Sequence, residues 1–329
     1  MKLQVNISRR NALTLPLLTL PSFSFNVNAQ AWPDKPLRFI VPVAAGGGSD
    51  MIARQVAERL AKSLGKPVVV ENIAGAGGAV AAQTTARATP DGYTFMLAYV
   101  ATHGTSPAAR KLPYDAVKDF TPLGMIGGTP NVLVVPADLP VKSLKDFIAY
   151  AKQNVGKVNY GSSGQGSLTH LCMEQLKAAA GFFAVHVPYR GIAPAFTDMF
   201  AGSTQAMFPG LAAATPHIVS KRLRPLAVTG KQRHATLPEV PTFEENGFKG
   251  FDALQWYGIA GPANLPAEIV TRINSELNKL LVQPDFKQRL SGEAVDVMPM
   301  SPAQFKTYIA ADIERWKRVM TEQKIEIEN

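Results

Sequence analysis

The residues with most chemical potential cluster in "VNYGSSGQGSLTHL", Val158 to Leu171, where glycines, serines and a histidine stand between an apolar run and a helical pattern. Ser162 and Ser163 follow a glycine as the nucleophile of a G-x-S-x-G elbow does, and His170, His186 and Asp198 are conceivable partners for a triad. The elbow needs glycine at position 165, where Gln165 stands, and no spacing in the chain demonstrates a triad. A serine hydrolase using Ser162 or Ser163 is therefore the alternative reading. Neither His103, His170, His186, His217 nor His234 stands in an H-x3-H pair, and Cys172 has no second cysteine beside it, so no zinc site is expected. No stretch reads G-x-x-x-x-G-K-[ST] or completes a G-x-G-x-x-G fingerprint, so no nucleotide or other cofactor is expected.

What the same residues can do is hold an anion without reacting with it. Three glycine turns, Gly46-Gly47-Gly48, Gly75-Ala76-Gly77-Gly78 and Gly161 to Gly166, each follow a strand pattern and open a helical one. Such turns leave backbone N–H groups at the positive end of a helix, where a carboxylate is favoured by about 0.3–1 kcal/mol when exposed. In an open α/β sheet these turns fall at the carboxyl ends of the strands, the usual place for a ligand. Ser49, Thr102, Ser162, Ser163 and Ser167 add hydroxyl donors. Asp50 reads equally as a partner of its own helix dipole and as a cleft residue that selects an amine or repels the wrong anion. Each histidine reads first as a structural or surface residue, and His103, in the loop after the third strand, is the one with most claim to ligand contact.

The elements that position these turns alternate. "LRFIVPV" (Leu37 to Val43) reads as a strand, and Ile52, Val56, Leu60 and Leu64 then recur at helical spacing between Ser49 as N-cap and Gly65 as stop. "VVVEN", a helix of small residues, and "YTFMLA" continue the strand, loop, helix repeat of a parallel sheet. The pattern restarts at "NVLVVP", with Ser143 capping a helix, and runs through "AVHVPY", "TQAMF" and "RPLAVT". "LQWYGIAGP" and helical patterns over Pro266 to Leu281 and Pro302 to Met320 read as a return to the first domain. The expected organisation is residues 1–29 as an export signal, 30–129 as the first part of domain 1, 130–254 as domain 2 and 255–329 as the return, hinged near Thr129-Pro130 and Ala253-Gln255.

Composition agrees with a globular chain. Its 329 residues are 46% apolar and 18% charged, enough for two cores. The net charge of +9 includes Lys2, Arg9 and Arg10 in a leader-like amino terminus, where Leu13 to Leu20 is apolar and Val27-Asn28-Ala29 offers a cleavage signal. Ser8-Arg9-Arg10 fits either the Sec or the twin-arginine route. Export with no later membrane span places the mature protein in the periplasm. The basic excess favours anionic partners, but no Lys/Arg block or basic stripe interleaved with aromatics points to nucleic acid.

Taken in order, "VPVAAGGGSDMIAR", "VVVENIAGAGGAVAA", "LPYDAVKDFTPLGMI", "VNYGSSGQGSLTHL", "VHVPYRGIAPAFTDMFAG", "LRPLAVTGKQRHATLPEVPTFEENG" and "WYGIAGPANLPAEIV" resemble the landmarks of the Bug-type periplasmic solute-binding receptors of tripartite tricarboxylate transporters. The resemblance runs from Trp32 onward. It implies an α/β, two-domain periplasmic binding protein of type II-like form, hinged by two strand crossings, that closes over a small carboxylate and delivers it to membrane permease subunits, as a monomer and without catalysis. Carried over by position, the ligand contacts are Ala44, Ala45, Gly46, Gly47, Gly48, Ser49 and Asp50 in one loop and Ser162, Ser163, Gly164, Gln165, Gly166 and Ser167 in the other. Gly77, Gly78, Thr102 and His103 are secondary candidates. Arg190 reads equally as a solvated strand-end residue and as a contact for ligand or permease. The chain departs from the family pattern at Ala45-Gly46, at Ile73-Ala74 and at Pro209-Gly210, where polar or proline-containing pairs are usual. That loss of polarity points to a less polar ligand, an aromatic mono- or dicarboxylate.

Overall fold

The computed structural model describes residues 1–4 and 32–325, and the expected leader falls almost wholly outside them. The chain divides into residues 1–31 and a compact unit from Trp32 onward, and the architecture below is that of the second unit.

Its first half runs β1 (Leu37–Val41), α1 (Gly48–Leu64), β2 (Val68–Asn72), a 3-10 turn (Ala76–Gly78), α2 (Ala79–Ala86) and β3 (Thr94–Tyr99). A π-helical turn (Ala101–Thr105), α3 (Ser106–Ala109) and the long strand β4 (Phe120–Pro130) follow. The second half opens with β5 (Val132–Pro136), α4 (Leu144–Gln153), β6 (Asn159–Ser162), α5 (Leu168–Ala180) and β7 (Val185–Pro188). It closes with α6 (Ile192–Phe200), β8 (Ala206–Met207), α7 (Leu211–Val219) and β9 (Leu223–Val228). The chain then returns through β10 (Leu254–Pro262), α8 (Ala267–Leu281), α9 (Pro284–Gly292), β11 (Asp296–Val297) and α10 (Pro302–Glu322).

Two sheets result. The first has six strands in the order β11-β4-β10-β3-β1-β2, and the second five in the order β7-β6-β8-β5-β9. The fold is thus α/β with two lobes. Neither sheet is all parallel, contrary to the expected repeat. β10 pairs antiparallel with β3 and β4, and β5 pairs antiparallel with β8 and β9, because strands that enter from the other lobe arrive without a crossover helix.

Local sequence explains most of the boundaries. In α1 the stripe Ile52, Val56, Leu60 and Leu64 is buried, and Gly65 ends the helix in the left-handed region at φ 70°. Ser49 is not the N-cap: the helix begins one residue past Gly47, which has no side chain with which to cap the first-turn N–H groups. Ser143, Ser167 and Ser301 do cap α4, α5 and α10, each accepting from a backbone N–H in the first turn. β1 stops at Val41, before the expected Val43, and β6 runs on to Ser162, so Gly161 and Ser162 belong to the strand.

The chain passes from one sheet to the other twice, and the two passages lie side by side. β4 ends at Pro130 and β5 starts at Val132, while on the return Leu254 pairs with Pro130 and Gln255 with Thr129. Thr229 ties them together: its Oγ1 accepts from Asn131 N at 2.8 Å and donates to Ala253 O at 2.6 Å.

Candidate functional site

A cavity of about 340 Å³ lies between the two lobes, with walls drawn from both sheets' loops. From the first lobe come Pro42 to Ala44, Gly47 to Ser49, Ala74 to Gly78, Tyr99 and Arg110; from the second come Ser163 to Gln165, Thr169, Pro188 to Pro194, Gly210 and Ala213, with Gln255 and Tyr257 on the returning strand. The lobes touch on two sides of it. A Cβ built at Gly48 would lie 3.7 Å from the Cβ of Ala213, and one built at Gly166 would lie 3.4 Å from the Cβ of Ala109.

Four helices begin at this wall. Their N-caps are Gly47, Gly78, Gly191 and Gly210, and none of the four has a side-chain cap. At α4, α5 and α10 the N-cap serine satisfies part of the first turn, whereas at the cavity the N-cap is glycine each time and, among the described residues, the one side chain that reaches a first-turn N–H is Thr129, whose Oγ1 accepts from Ala212 N at 3.3 Å. Uncapped first turns carry free N–H donors and the positive end of the helix dipole, so a negative charge placed here is stabilised by both. The two helix ends of the second lobe are α6 and α7. The expected end, α5, is turned to internal use: Ser167 Oγ donates to Gly164 O at 2.6 Å, and the ring Nδ1 of His170 accepts from Gly166 N at 3.1 Å.

Of the residues expected from sequence, Ala44, Gly47, Gly48, Ser49, Gly77, Gly78, Ser163, Gly164, Gln165 and Arg190 line the cavity. The others do not. Ala45 is exposed on the loop, and Gly46 lines a neighbouring groove against α6 and α7. Asp50 is buried and pinned: its carboxylate accepts from Gly46 N at 2.9 Å, Arg54 Nε at 3.0 Å and Asn72 Nδ2 at 2.8 Å. Burial pushes the Asp50 carboxyl up, but Arg54, Gly46 and Asn72 outweigh it and hold it below its usual value. It therefore fixes the shape of the loop from behind.

Thr102 and His103 are also behind the wall. Thr102 backs onto Gly78, and His103 packs edge-on against Phe120 with its Nδ1 2.9 Å from Thr102 Oγ1. Burial lowers the His103 pKa to about 3, so the ring is neutral. Ser162, at the end of β6, and Gly166 and Ser167, in the second loop, are buried away from the wall.

Ser162 Oγ does meet a histidine, His186 Nε2, at 2.6 Å. The pair is no catalytic dyad. Ser162 is fully buried, and His186 stacks on His170 at 3.8 Å between ring centroids. Burial lowers the His186 pKa to about 3, leaving it a weak base, and Asp198 is engaged by the Tyr189 hydroxyl at 2.7 Å. Ser163 Oγ lies 3.0 Å from Thr169 Oγ1, whose own neighbour is Ser167 Oγ at 2.9 Å, so this hydroxyl is oriented by other hydroxyls.

Sequence reasoning missed the ends of α6 and α7, although Gly191 and Gly210 each stand directly before a helical pattern and carry the signal used for the other turns. Tyr99, Tyr257, Gln255 and Arg110 gave no local signal. Tyr99 and Tyr257 are paired across β3 and β10, which brings both to the floor of the cavity. Burial raises both phenols well above the usual tyrosine range, and Ser49 hydrogen-bonds with Tyr257.

A cavity between two α/β lobes, walled by backbone donors, tyrosines and small residues, defines a two-lobed solute-binding protein. The chain belongs to the tripartite tricarboxylate transporter family receptor group, whose family model matches residues 52–325. It is 32% identical over 324 residues to Protein BugT of Bordetella pertussis, covering 97% of this chain and 98% of that one. The solved periplasmic binding protein BugD is 32% identical, with a TM-score of 0.85 over 90% of this chain and 99% of that chain. An R. palustris protein solved with adipate is 34% identical, with a TM-score of 0.87 over 90% and 99%. MatC from Rhodopseudomonas palustris, with bound malate, is 30% identical, with a TM-score of 0.83 over 88% and 99%. This is a family of solute-binding receptors, not of enzymes.

Proposed function

We propose that this chain captures a small carboxylate with an apolar body, an aromatic or medium-length aliphatic acid, and hands it to the membrane permease subunits of a tripartite transporter. The observation that carries the reading is the set of four uncapped, glycine-led helix ends around one cavity, two from each lobe. A carboxylate there gains charge-assisted bonds from first-turn backbone N–H groups, of which Ala212 N at α7 already donates to Thr129 Oγ1 at 3.3 Å. The remaining wall, with Tyr99, Tyr189, Tyr257, Val43, Ile192 and Pro194, suits an apolar body rather than a polyhydroxylated one. The relatives solved with adipate and malate support the carboxylate class.

Capture proceeds by closure about the paired strand crossings, with the ligand favouring the closed form through contacts to both lobes. Both halves of the cavity come from one chain, which supports a receptor that works as a monomer. Among the described residues no helix is long and apolar enough to cross a membrane, which fits a receptor acting in the periplasm after export.

Calorimetric titration of the mature protein with benzoate, terephthalate, adipate, malate, citrate and glutamate tests the reading. The expected result is micromolar or tighter binding of acids with apolar bodies. Binding of only citrate, malate or glutamate would refute the apolar-body assignment, and silence from every acid would refute carboxylate capture.

A further inference from the structure

Resting on the carboxylate reading, we infer that the floor of the cavity is a neutral hydrogen-bonding site, built from the Gln255 carboxamide and the Tyr99 hydroxyl, that selects acids carrying an uncharged hydroxyl group on their apolar body.

Three polar side chains share this floor. Tyr99 and Tyr257 stand opposite each other across β3 and β10, and Gln255, two residues before Tyr257, lies on the same face of the sheet. All three line the cavity, and little of each is exposed: 8% of Tyr99, 3% of Tyr257 and 9% of Gln255. Tyr257 has a partner, since Ser49 hydrogen-bonds with it. The other two do not: neither the Tyr99 hydroxyl nor the Gln255 carboxamide makes a hydrogen bond to a described residue. Apolar packing, not a polar contact, holds Gln255 in place. A Cβ built at Gly210 would lie 3.3 Å from its Cγ and 3.5 Å from its Cβ, so its stem rests on the N-cap of α7. The stem is gripped and the carboxamide is left to the cavity.

A carboxamide offers an acceptor and donors together, and a tyrosine hydroxyl offers one of each. Burial raises the Tyr99 phenol well above the usual tyrosine range, so it keeps its proton and can donate. An apolar group closed against this floor leaves both polar groups without a partner, which is costly once water is gone. A carboxylate placed here would exchange water for neutral partners alone, while the glycine-led helix ends offer it positive dipoles elsewhere on the wall. A hydroxyl suits both groups. It donates to the carboxamide oxygen and accepts from the Tyr99 hydroxyl, and an analogue without it is discriminated against because the site's own groups go unpaired.

The test compares acids of one body with and without a hydroxyl: benzoate with its ortho, meta and para hydroxy forms, and hexanoate with its terminally hydroxylated form. Each is titrated calorimetrically into wild type, Gln255→Leu and Tyr99→Phe. In wild type at least one hydroxylated acid is expected to bind about tenfold or more tightly than its parent. Gln255→Leu and Tyr99→Phe should each shrink that ratio, Gln255→Leu to within about twofold. The ratio separates recognition from scaffolding, because a general disturbance of the floor or of the α7 N-cap weakens parent and hydroxylated acid alike. Thermal melts without ligand should match wild type, since neither group has a protein partner to lose. A wild type that prefers no hydroxylated acid, or a preference that survives both substitutions, would overturn the assignment and leave carboxylate capture intact. So would binding of terephthalate or adipate with none of these monoacids. Failure of every acid, those diacids included, to bind wild type would instead remove the carboxylate reading and this assignment together.

Discussion

Gly47 shows what a single residue contributes to this site. It is the N-cap of α1, at φ −87° and ψ 167°, a conformation any residue adopts, and a Cβ there would meet nothing within 4 Å. Neither strain nor crowding requires glycine, so the gain from it is functional: an ordinary N-cap side chain would occupy the donors that a ligand needs. Gly47→Asp places a carboxylate over those N–H groups and is expected to stabilise the unliganded protein by a few tenths of a kcal/mol, since aspartate caps better than glycine. The same change should weaken carboxylate binding by about a hundredfold or more, by occupying the donors and repelling the anion. Gly47→Asn, of the same shape without charge, should weaken it less. Melting temperature and calorimetric affinity measured side by side decide the matter, and undiminished binding by Gly47→Asp would take α1 out of the site.

At the scale of elements, the stacked pair His170 and His186 joins α5 to β7 and supports the loop between Ser162 and Ser167. Around the pair stand Tyr160, Glu174 and Lys177, with Lys177 Nζ 2.7 Å from Glu174 Oε1 and the Tyr160 hydroxyl donating to the same carboxylate. Burial lowers the two imidazoles from an ordinary 6.5 to about 4 for His170 and about 3 for His186. Below pH 6.5 the unfolded chain therefore binds protons that the folded chain refuses, so the contribution is present in full above 6.5 and is lost as pH falls toward 4. The loss is on the order of a few kcal/mol, at about 1.4 kcal/mol per unit for each group, less for a coupled pair. Urea melts between pH 7.5 and 4.5 should show wild type losing more stability than His170→Gln/His186→Asn. Parallel losses would assign the acid sensitivity elsewhere. The legibility of elements follows the same division between local and tertiary causes. α1, β2, α5 and β10 carry their period and stop signals within themselves and were readable. β4, "FTPLGMIGGTP", was not, because its glycines answer neighbours: a Cβ at Gly128 would lie 2.6 Å from Leu254 Cδ2, one at Gly124 would lie 2.8 Å from Asn274 Nδ2, and one at Gly127 would collide with Asp296 O. A strand whose composition is set by what packs on it looks, in sequence, like a loop. The site divides likewise, since glycines before helices could be found, whereas Tyr257 reaches the cavity through the pairing of β10 with β3, and Arg110 through its bond to Ala76 O in a turn more than thirty residues away in sequence.

For the whole molecule, the question is whether the lobes must part to admit a ligand, and the contact of Gly48 with Ala213 offers a direct handle. The separation of 3.7 Å between a Cβ built at Gly48 and the Cβ of Ala213 is within the range a disulfide spans, about 3.5–4.5 Å. Gly48 is the first residue of α1 and Ala213 lies in the first turn of α7, both with helical backbones that accept cysteine. The native Cys172 is buried, with its thiol pushed up to about 12 by burial, so it will not compete for the new bond. Gly48→Cys/Ala213→Cys should bind ligand when reduced, with affinity within about tenfold of wild type, because the added thiols flank the helix ends without capping them. Oxidised before ligand is added, the variant should give no heat on titration. Oxidised after loading, it should carry its ligand through gel filtration and release it only on reduction. Those two results together require that entry and exit both pass through separation of the lobes at this edge. If the oxidised, empty protein binds at the wild-type rate, the cavity fills by another route, and the paired crossings at Thr229 serve as a rigid brace instead of a hinge.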